Sequence, residues 1–161
     1  MSRTASLAAG ALAAGALATG ALAAACLDPV EPDVGDPVRP LCTDEDSDPG
    51  TPVSFSDQIE TALLDRGDLA CVDCHSSGGA NPLGLHTSGL SLSSYASLRR
   101  GGDRSGADIV LPGRPCESIL LQKVGEAPPF GARMPLDGPP FLTPEERQLI
   151  SDWIAEGAND D

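Results

Sequence analysis

Two cysteines and a histidine stand close together in Cys71-Val72-Asp73-Cys74-His75. On a helical turn, residues three and four positions apart lie on one face, so both thiols and the imidazole point to the same side. The thiols can form thioethers with the vinyl groups of a haem while the imidazole ligates its iron. This C-x-x-C-H spacing is the attachment signature of c-type haem. We therefore predict Cys71 and Cys74 as haem attachment sites and His75 as an iron ligand.

Two other uses of this motif are less favoured. A thioredoxin-like redox pair belongs to a βαβ unit, and no such pattern surrounds these cysteines. A zinc knuckle needs a second ligand pair at metal spacing. Apart from Cys26, only Cys42, Cys116 and His86 remain, and none of them is closely paired with another. The motif thus favours covalent haem.

Met134 is the candidate for the opposite side of the iron. It is the only methionine besides the initiator, and it stands in Gly131-Ala132-Arg133-Met134-Pro135, an irregular segment rather than a helix face. A thioether is a common second axial ligand in cytochromes c, where it raises the reduction potential. The alternatives are a half-buried loop methionine without a metal, and His86 as the sixth ligand.

The N-terminal segment predicts export from the cytoplasm. Residues 5–25 are almost wholly Ala, Leu and Gly, and small residues precede Cys26. We interpret residues 1–25 as a signal peptide. Leu22-Ala23-Ala24-Ala25-Cys26 resembles a bacterial lipobox, in which the cysteine becomes the lipidated first residue. We favour a lipoprotein on the periplasmic side of a bacterial membrane, with plain secretion and an uncleaved anchor as alternatives.

The next segment, residues 26–53, is rich in Pro, Asp, Glu and Gly and almost lacks large apolar side chains. Such a composition cannot offset the entropy of ordering, so we predict a disordered acidic linker. The cysteines without another role, Cys42 and Cys116, are free to pair in an oxidising compartment. We predict a candidate disulfide between them.

Three helices are predicted in the rest of the chain. Phe55, Ile59 and Leu63 recur at four-residue intervals and predict a helix over residues 56–66. A second helix is predicted near residues 116–124. A third begins at Thr143-Pro144-Glu145-Glu146, a capping box with proline at the first helical position, and ends at Gly157.

These helices predict an all-α domain over residues 54–158, followed by a tail of residues 159–161. No run of alternating apolar residues indicates a sheet. The domain is poor in aromatic residues, which make up 3% of the chain. A core of this size is marginal from side chains alone, so a buried porphyrin is also a structural requirement.

The chain is strongly acidic, with a formal net charge of −14 at pH 7. This charge argues against nucleic-acid binding and favours encounters with a basic redox partner. The propionates of a haem need donors in spite of this charge. The candidate donors are arginines at positions scattered along the domain: Arg99, Arg100, Arg114 and Arg133.

The motif order over residues 54–158 resembles that of c-type cytochrome domains of planctomycetes and myxobacteria. After the Cys71–His75 segment come Gly89-Leu90-Ser91-Leu92, Ser94-Tyr95, Leu111-Pro112-Gly113-Arg114-Pro115, Ser118-Ile119-Leu120-Leu121, Met134-Pro135, Leu142-Thr143-Pro144-Glu145-Glu146 and Trp153-Ile154-Ala155-Glu156-Gly157-Ala158. The resemblance implies a cytochrome c-like domain packed around one covalent haem c. It also implies His75 as the proximal ligand and Met134 as the distal ligand.

Together these features predict a mono-haem electron carrier outside the cytoplasm rather than an enzyme. No nucleophile and base pair, phosphate loop or second metal site is visible. The alternatives are a five-coordinate haem protein that binds a small ligand or peroxide, as a sensor or a peroxidase-like subunit, and a non-catalytic haem subunit of a larger complex. Membrane attachment would be through the lipid at Cys26.

Overall fold

The computed structural model describes residues 42–69 and 71–161. The predicted signal peptide, Cys26 and the first part of the linker lie outside these residues. The described elements, in chain order, are a π-helix (Phe55–Leu64), α1 (Cys71–His75), α2 (Leu83–Ser88), α3 (Tyr95–Arg100), 3₁₀ turns at Gly106–Ile109 and Pro115–Glu117, α4 (Ile119–Val124) and α5 (Pro144–Ala155). No described residue lies in a β-strand, and the predicted all-α class is confirmed.

The first predicted helix is present and buries Phe55, Ile59 and Leu63, as their spacing indicates. It differs from the prediction in type and at both ends, since it is a π-helix over Phe55–Leu64. The backbone N–H of Asp65 donates to the carbonyl of Glu60 at 2.8 Å, five residues back. A four-residue recurrence does not separate this wider turn from an α-helix, because both bring such residues to one side.

Helix α5 begins as its capping box predicts. The Thr143 hydroxyl accepts from the backbone N–H of Glu146 at 3.2 Å, and the Glu146 carboxylate accepts from the backbone N–H of Thr143 at 2.8 Å. These bonds satisfy N–H groups that have no partner inside the helix. The helix packs against the π-helix and α4, and buries Ile150, Trp153 and Ile154.

The predicted helix near residues 116–124 consists of two pieces. A 3₁₀ turn covers Pro115–Glu117, and α4 follows from Ile119. Ser118 lies between them and is fully buried. Its hydroxyl accepts from the backbone N–H of Leu111 at 2.8 Å and donates to the carbonyl of Arg114 at 3.0 Å. The backbone of Ser118 is extended (φ −71°, ψ 121°), which separates the 3₁₀ turn from α4, and the hydroxyl bonds hold the residue in this position.

Aromatic side chains join the two ends of the domain. The Phe55 ring lies 5.2 Å from the Tyr95 ring and 5.3 Å from the Trp153 ring, measured between centroids. The Tyr95 hydroxyl donates to the carbonyl of Ala158 at 2.8 Å, and the Trp153 indole N–H donates to the carbonyl of Asn159 at 3.0 Å. Three of the five aromatic residues thus lie where the first and last helices meet.

Residues 42–53, which composition assigns to the linker, are held against the domain. A disulfide joins Cys42 to Cys116, with Cα atoms 5.6 Å apart. The Asp152 carboxylate accepts from the backbone N–H and the hydroxyl of Ser47, at 2.9 and 2.7 Å. Side chains of the helical domain therefore provide partners that the composition of the linker alone does not reveal.

The predicted tail is also attached. Asp161 accepts from the backbone N–H groups of Phe55 and Ser56 at 3.0 and 2.9 Å, at the start of the π-helix. A carboxylate at this end of a helix is favourable because the N–H groups there carry positive partial charge. Within residues 42–69 and 71–161, no helix has the length and apolar character needed to cross a bilayer.

Candidate haem-binding site

The C-x-x-C-H segment folds as the short helix α1. Two backbone bonds hold it: the N–H of Leu92 donates to the carbonyl of His75 at 2.7 Å, and the N–H of Asn81 donates to that of Asp73 at 3.2 Å. Both Cys71 and Cys74 carry free thiols and are half-buried. The predicted helical turn is therefore present, with both thiols available for thioether formation.

The Cys71 thiol lies in a strongly desolvated position. Burial raises its pKa to about 11, against smaller opposing effects that include its own backbone hydrogen bond and the charge of Arg66. Catalytic cysteines of redox motifs have lowered pKa values because the thiolate is their reactive form. This environment is the opposite of the one that a thioredoxin-like pair needs.

The imidazole of His75 is oriented by the backbone. Its Nδ1 lies 3.1 Å from the carbonyl oxygen of Leu90. Because a carbonyl can only accept, the proton is on Nδ1, and Nε2 keeps its lone pair for a metal. Burial lowers the pKa of His75; the Leu90 bond opposes this effect, and the charge of Lys123 adds to it. The neutral ring that results is the form that binds iron.

Helix α2 passes close to this imidazole at Gly84. A Cβ at that position would lie 2.7 Å from Nε2 of His75 and 2.8 Å from the carbonyl oxygen of Cys74. Such distances are far inside van der Waals contact, so any larger residue would displace the ring or the helix. Gly84 thus lets α2 pack directly against the haem-attachment turn. The sequence alone does not single out Gly84, because one glycine in a short helix carries no spacing signal.

A cavity of about 490 Å³ opens in front of α1. Its wall is mainly apolar, and residues from the π-helix, α4, α5 and the loops between them contribute to it. The predicted ligands and attachment sites all line this cavity: Cys71, Cys74, His75 and Met134. An apolar cavity of this size, with a few convergent polar groups, is typical of a cofactor site.

The loop that carries Met134 is fastened to α4. The backbone N–H of Met134 donates to the carbonyl of Lys123 at 2.8 Å, and the Lys123 ammonium donates to the carbonyls of Phe130, at 2.8 Å, and Ala132. The Arg133 guanidinium donates to the carbonyl of Val124 at 3.1 Å. These bonds place the half-buried Met134 side chain against the core.

His86, the competing sixth ligand, lies elsewhere. It is an exposed residue of α2 and is not among the residues that line the cavity. The structure therefore brings Met134 to the cavity with His75 and leaves His86 outside it. A zinc knuckle needs several such ligands together. Within residues 42–69 and 71–161, no group of three or more His, Cys, Asp or Glu side chains is placed to hold a metal ion.

The predicted propionate donors are not at the cavity. Arg99 donates to the carbonyl of Val110 at 3.0 Å, Arg114 pairs with Glu117, and Arg133 bonds the backbone of α4. These side chains and Arg100 are absent from the cavity wall. The basic residues that do line it are Arg104 and the only lysine of the chain, Lys123. Neither follows from local spacing, because both are brought there by the fold.

Comparison with protein families adds an independent observation. A family model described as planctomycete cytochrome C matches residues 71–135, from the first cysteine of the attachment motif to the proline after Met134. The chain carries a planctomycete-type cytochrome c domain. The predicted family resemblance is therefore confirmed, and the match covers the attachment turn, part of the cavity wall and the loop up to Pro135.

A cytochrome c domain implies covalent haem c, and the residues present fit this group. The cavity has a free thiol pair, a neutral imidazole with Nε2 available, and a thioether on its wall. No curated protein and no solved structure matches the chain. The assignment of individual residues thus depends on the geometry of this cavity.

Proposed function

We propose that this protein is a mono-haem c-type cytochrome that transfers single electrons outside the cytoplasm, with His75 and Met134 as axial ligands. The observation that carries the proposal is that Cys71, Cys74, His75 and Met134 line the same cavity. When bound, a haem c supplies an iron that cycles between the ferric and ferrous states. The protein itself provides the attachment sites, the iron ligands and the apolar wall.

In this proposal Cys71 and Cys74 would hold the cofactor through thioethers, and His75 and Met134 would ligate its iron. The Leu90 carbonyl keeps Nε2 of His75 unprotonated. The apolar wall would limit access of water, and a thioether in place of water or imidazole would favour the ferrous state. Two protein ligands would leave the iron without an open site for substrate chemistry, which favours the role of a carrier.

Carbon monoxide separates the carrier from a five-coordinate haem protein. The protein is expressed with a haem-attachment system, and after denaturing electrophoresis its band should stain for haem. The reduced protein should then resist carbon monoxide because Met134 occupies the sixth position. A colourless band would end the haem assignment, whereas a stained band with ready carbon monoxide binding would favour a ligand-binding protein.

We further propose that the domain lies on the periplasmic side of a bacterial membrane, anchored by lipid at Cys26, and that its redox partner is basic. The acidic net charge supports this choice of partner, and the rate at which the two proteins associate should fall as the salt concentration increases.

Lipidation of Cys26 can be tested separately. Labelled palmitate should enter the protein, and Cys26→Ala should abolish the labelling. A mature N-terminus other than residue 26 would contradict lipidation and leave the haem assignment intact.

A further inference from the structure

Two positive side chains meet on the wall of the cavity, beside the ring of Phe130. The guanidinium carbon of Arg104 lies 4.5 Å from the ring centroid, and Nζ of Lys123 lies 5.1 Å from it. Of the lining residues, these are the ones that carry a full positive charge. The cavity wall thus carries two positive charges at one end in a chain whose net charge is −14.

These charges have no carboxylate partner in the part of the chain that the structure describes. The ion pairs found there involve Arg66 and Arg114 instead. Asp137 also lines the cavity but forms no ion pair with either cation. The two cations lie beside the same ring, so each positive charge repels the other. Two converging charges of one sign are unfavourable unless an anion lies between or beside them.

Both side chains retain hydrogen-bond donors for such an anion. An ammonium has three N–H groups, and Lys123 uses two of them on the carbonyls of Phe130 and Ala132. A guanidinium has five donors in a planar fork that matches a carboxylate. None of the hydrogen bonds among the described residues uses Arg104 as a donor, and its side chain is exposed at the cavity. Its fork can therefore engage a carboxylate without losing another bond.

We propose that Arg104 and Lys123 form the propionate-binding end of the cavity, with one or both haem carboxylates bound between them. The inference depends on the proposed function, because a haem c must occupy the cavity. It replaces the arginines that the sequence suggests, all of which are bonded elsewhere or lie off the cavity wall. Lys123 then has two roles, since the same ammonium also holds the backbone of the Met134 loop.

The test is the midpoint potential of the holoprotein, measured by spectroelectrochemical titration. Removing the Arg104 charge leaves the propionates less neutralised, and the more negative surroundings stabilise ferric over ferrous iron. Arg104→Gln should therefore lower the potential, whereas Arg104→Lys should restore most of the loss. Arg100→Gln is the matched control, because it removes the same charge from an exposed arginine off the cavity wall. It should leave the potential nearly unchanged.

Haem content, measured on each variant, separates the possible failures. If the unmodified protein holds no covalent haem, the proposed function itself is wrong. If haem content is normal and Arg104→Gln has the same potential as Arg100→Gln, the propionate assignment is wrong and the cytochrome assignment stands. If Arg104→Gln yields no holoprotein, Arg104→Lys decides: recovery with an unchanged potential supports the assignment, and failure to recover overturns it.

Lys123→Gln provides a second measurement. Like Arg104→Gln, it should lower the midpoint potential, because it removes the second positive charge beside the propionates. Because Lys123 also holds the Met134 loop, the ferric sulfur-to-iron charge-transfer band must be recorded with the potential. A lowered potential with the band retained supports propionate binding by Lys123. An unchanged potential with the band retained would contradict it.

Discussion

The backbone N–H of Met134 donates to the carbonyl of Lys123 at 2.8 Å, which connects the predicted distal ligand to the last turn of α4. The loop from residue 125 to residue 142 is otherwise irregular and rich in proline and glycine. Such a segment holds a side chain at one position only if its backbone is bonded to a regular element. Lys123 and Arg133 make these bonds between the loop and α4. The position of the Met134 thioether therefore depends on α4 as well as on the loop.

Replacing Met134 tests this arrangement directly. Met134→Ala should remove the weak long-wavelength charge-transfer band of the ferric protein and open the iron to carbon monoxide when reduced. The reduction potential should also fall, because water or imidazole stabilises the ferrous state less than a thioether does. Spectra and potentiometry on the purified holoprotein give all three results.

Glu126→Ala is the control for this substitution, because Glu126 is an exposed residue of the same loop and does not line the cavity. It should keep the band and the resistance to carbon monoxide. If Met134→Ala has the same spectrum as the unmodified protein, the thioether is not the sixth ligand. If the unmodified protein itself lacks the band and binds carbon monoxide, the open iron of the ligand-binding alternative is the better description.

Replacing Gly84 tests whether α2 constrains the His75 imidazole. In Gly84→Ala the new methyl group would collide with the His75 imidazole and the Cys74 carbonyl, so we expect less holoprotein and an altered ferric spectrum. Gly78→Ala is the matched control, because a Cβ at Gly78 meets no atom within 4 Å. The yield of covalent haem per polypeptide measures the difference. Equal yields and spectra would mean that α2 does not constrain the imidazole.

Local patterns account for much of this fold. The recurrence of Phe55, Ile59 and Leu63 predicts the first helix, and the Thr143 capping box predicts the start of α5. The short helices α2 and α3 were not predicted, because six residues are too few to show a period. For α3 a local signal exists in Ser94, whose hydroxyl accepts from the backbone N–H of Ser97 at 3.2 Å.

In the site, too, one part follows from the local sequence and another part from contacts between distant residues. The attachment turn is one contiguous motif, and its chemistry follows from spacing alone. The Leu90 carbonyl, Gly84 and Arg104 affect the same cavity, but the fold brings them there from separate parts of the chain. A backbone carbonyl has no sequence signature at all. Such supporting contacts could be assigned only from coordinates.

The capping box of α5 should make stability depend on pH. Burial alone would raise the pKa of Glu146, but bonds from Thr143 and the Arg66 guanidinium outweigh it and leave this pKa lowered. A carboxyl with a lowered pKa stabilises the fold above its unfolded-state pKa and loses this effect as pH falls through the folded-state value. Glu146→Gln should therefore unfold at lower denaturant than the unmodified protein at pH 7, with a difference that shrinks in acid.

Thr143→Ala is the comparison for Glu146→Gln. It removes the cap hydroxyl and should cost about 1 kcal/mol at pH 7. Its cost should depend less on pH than that of Glu146→Gln, because the Glu146 carboxylate keeps its bonds from the Thr143 backbone and from Arg66. Denaturant unfolding followed by circular dichroism at several pH values provides both curves. A constant difference between Glu146→Gln and the unmodified protein down to strong acid would show that the carboxylate charge does not stabilise this helix.

The disulfide between Cys42 and Cys116 should stabilise the domain mainly by restricting the unfolded chain. The cysteines are 74 residues apart in sequence, and closing so long a loop corresponds to about 4 kcal/mol in the chain-entropy treatment. Cys42→Ser and the double variant Cys42→Ser, Cys116→Ser should lose similar stability in denaturant unfolding, because either removes the cross-link. A thiol reductant should destabilise the unmodified protein to the same level and leave both variants unchanged, since haem thioethers are not reduced. If the reductant has no effect on the unmodified protein while its thiols become titratable, the cross-link contributes nothing to stability. Hydrogen bonds such as those of Asp44, Ser47 and Val53 then suffice to hold residues 42–53 to the domain.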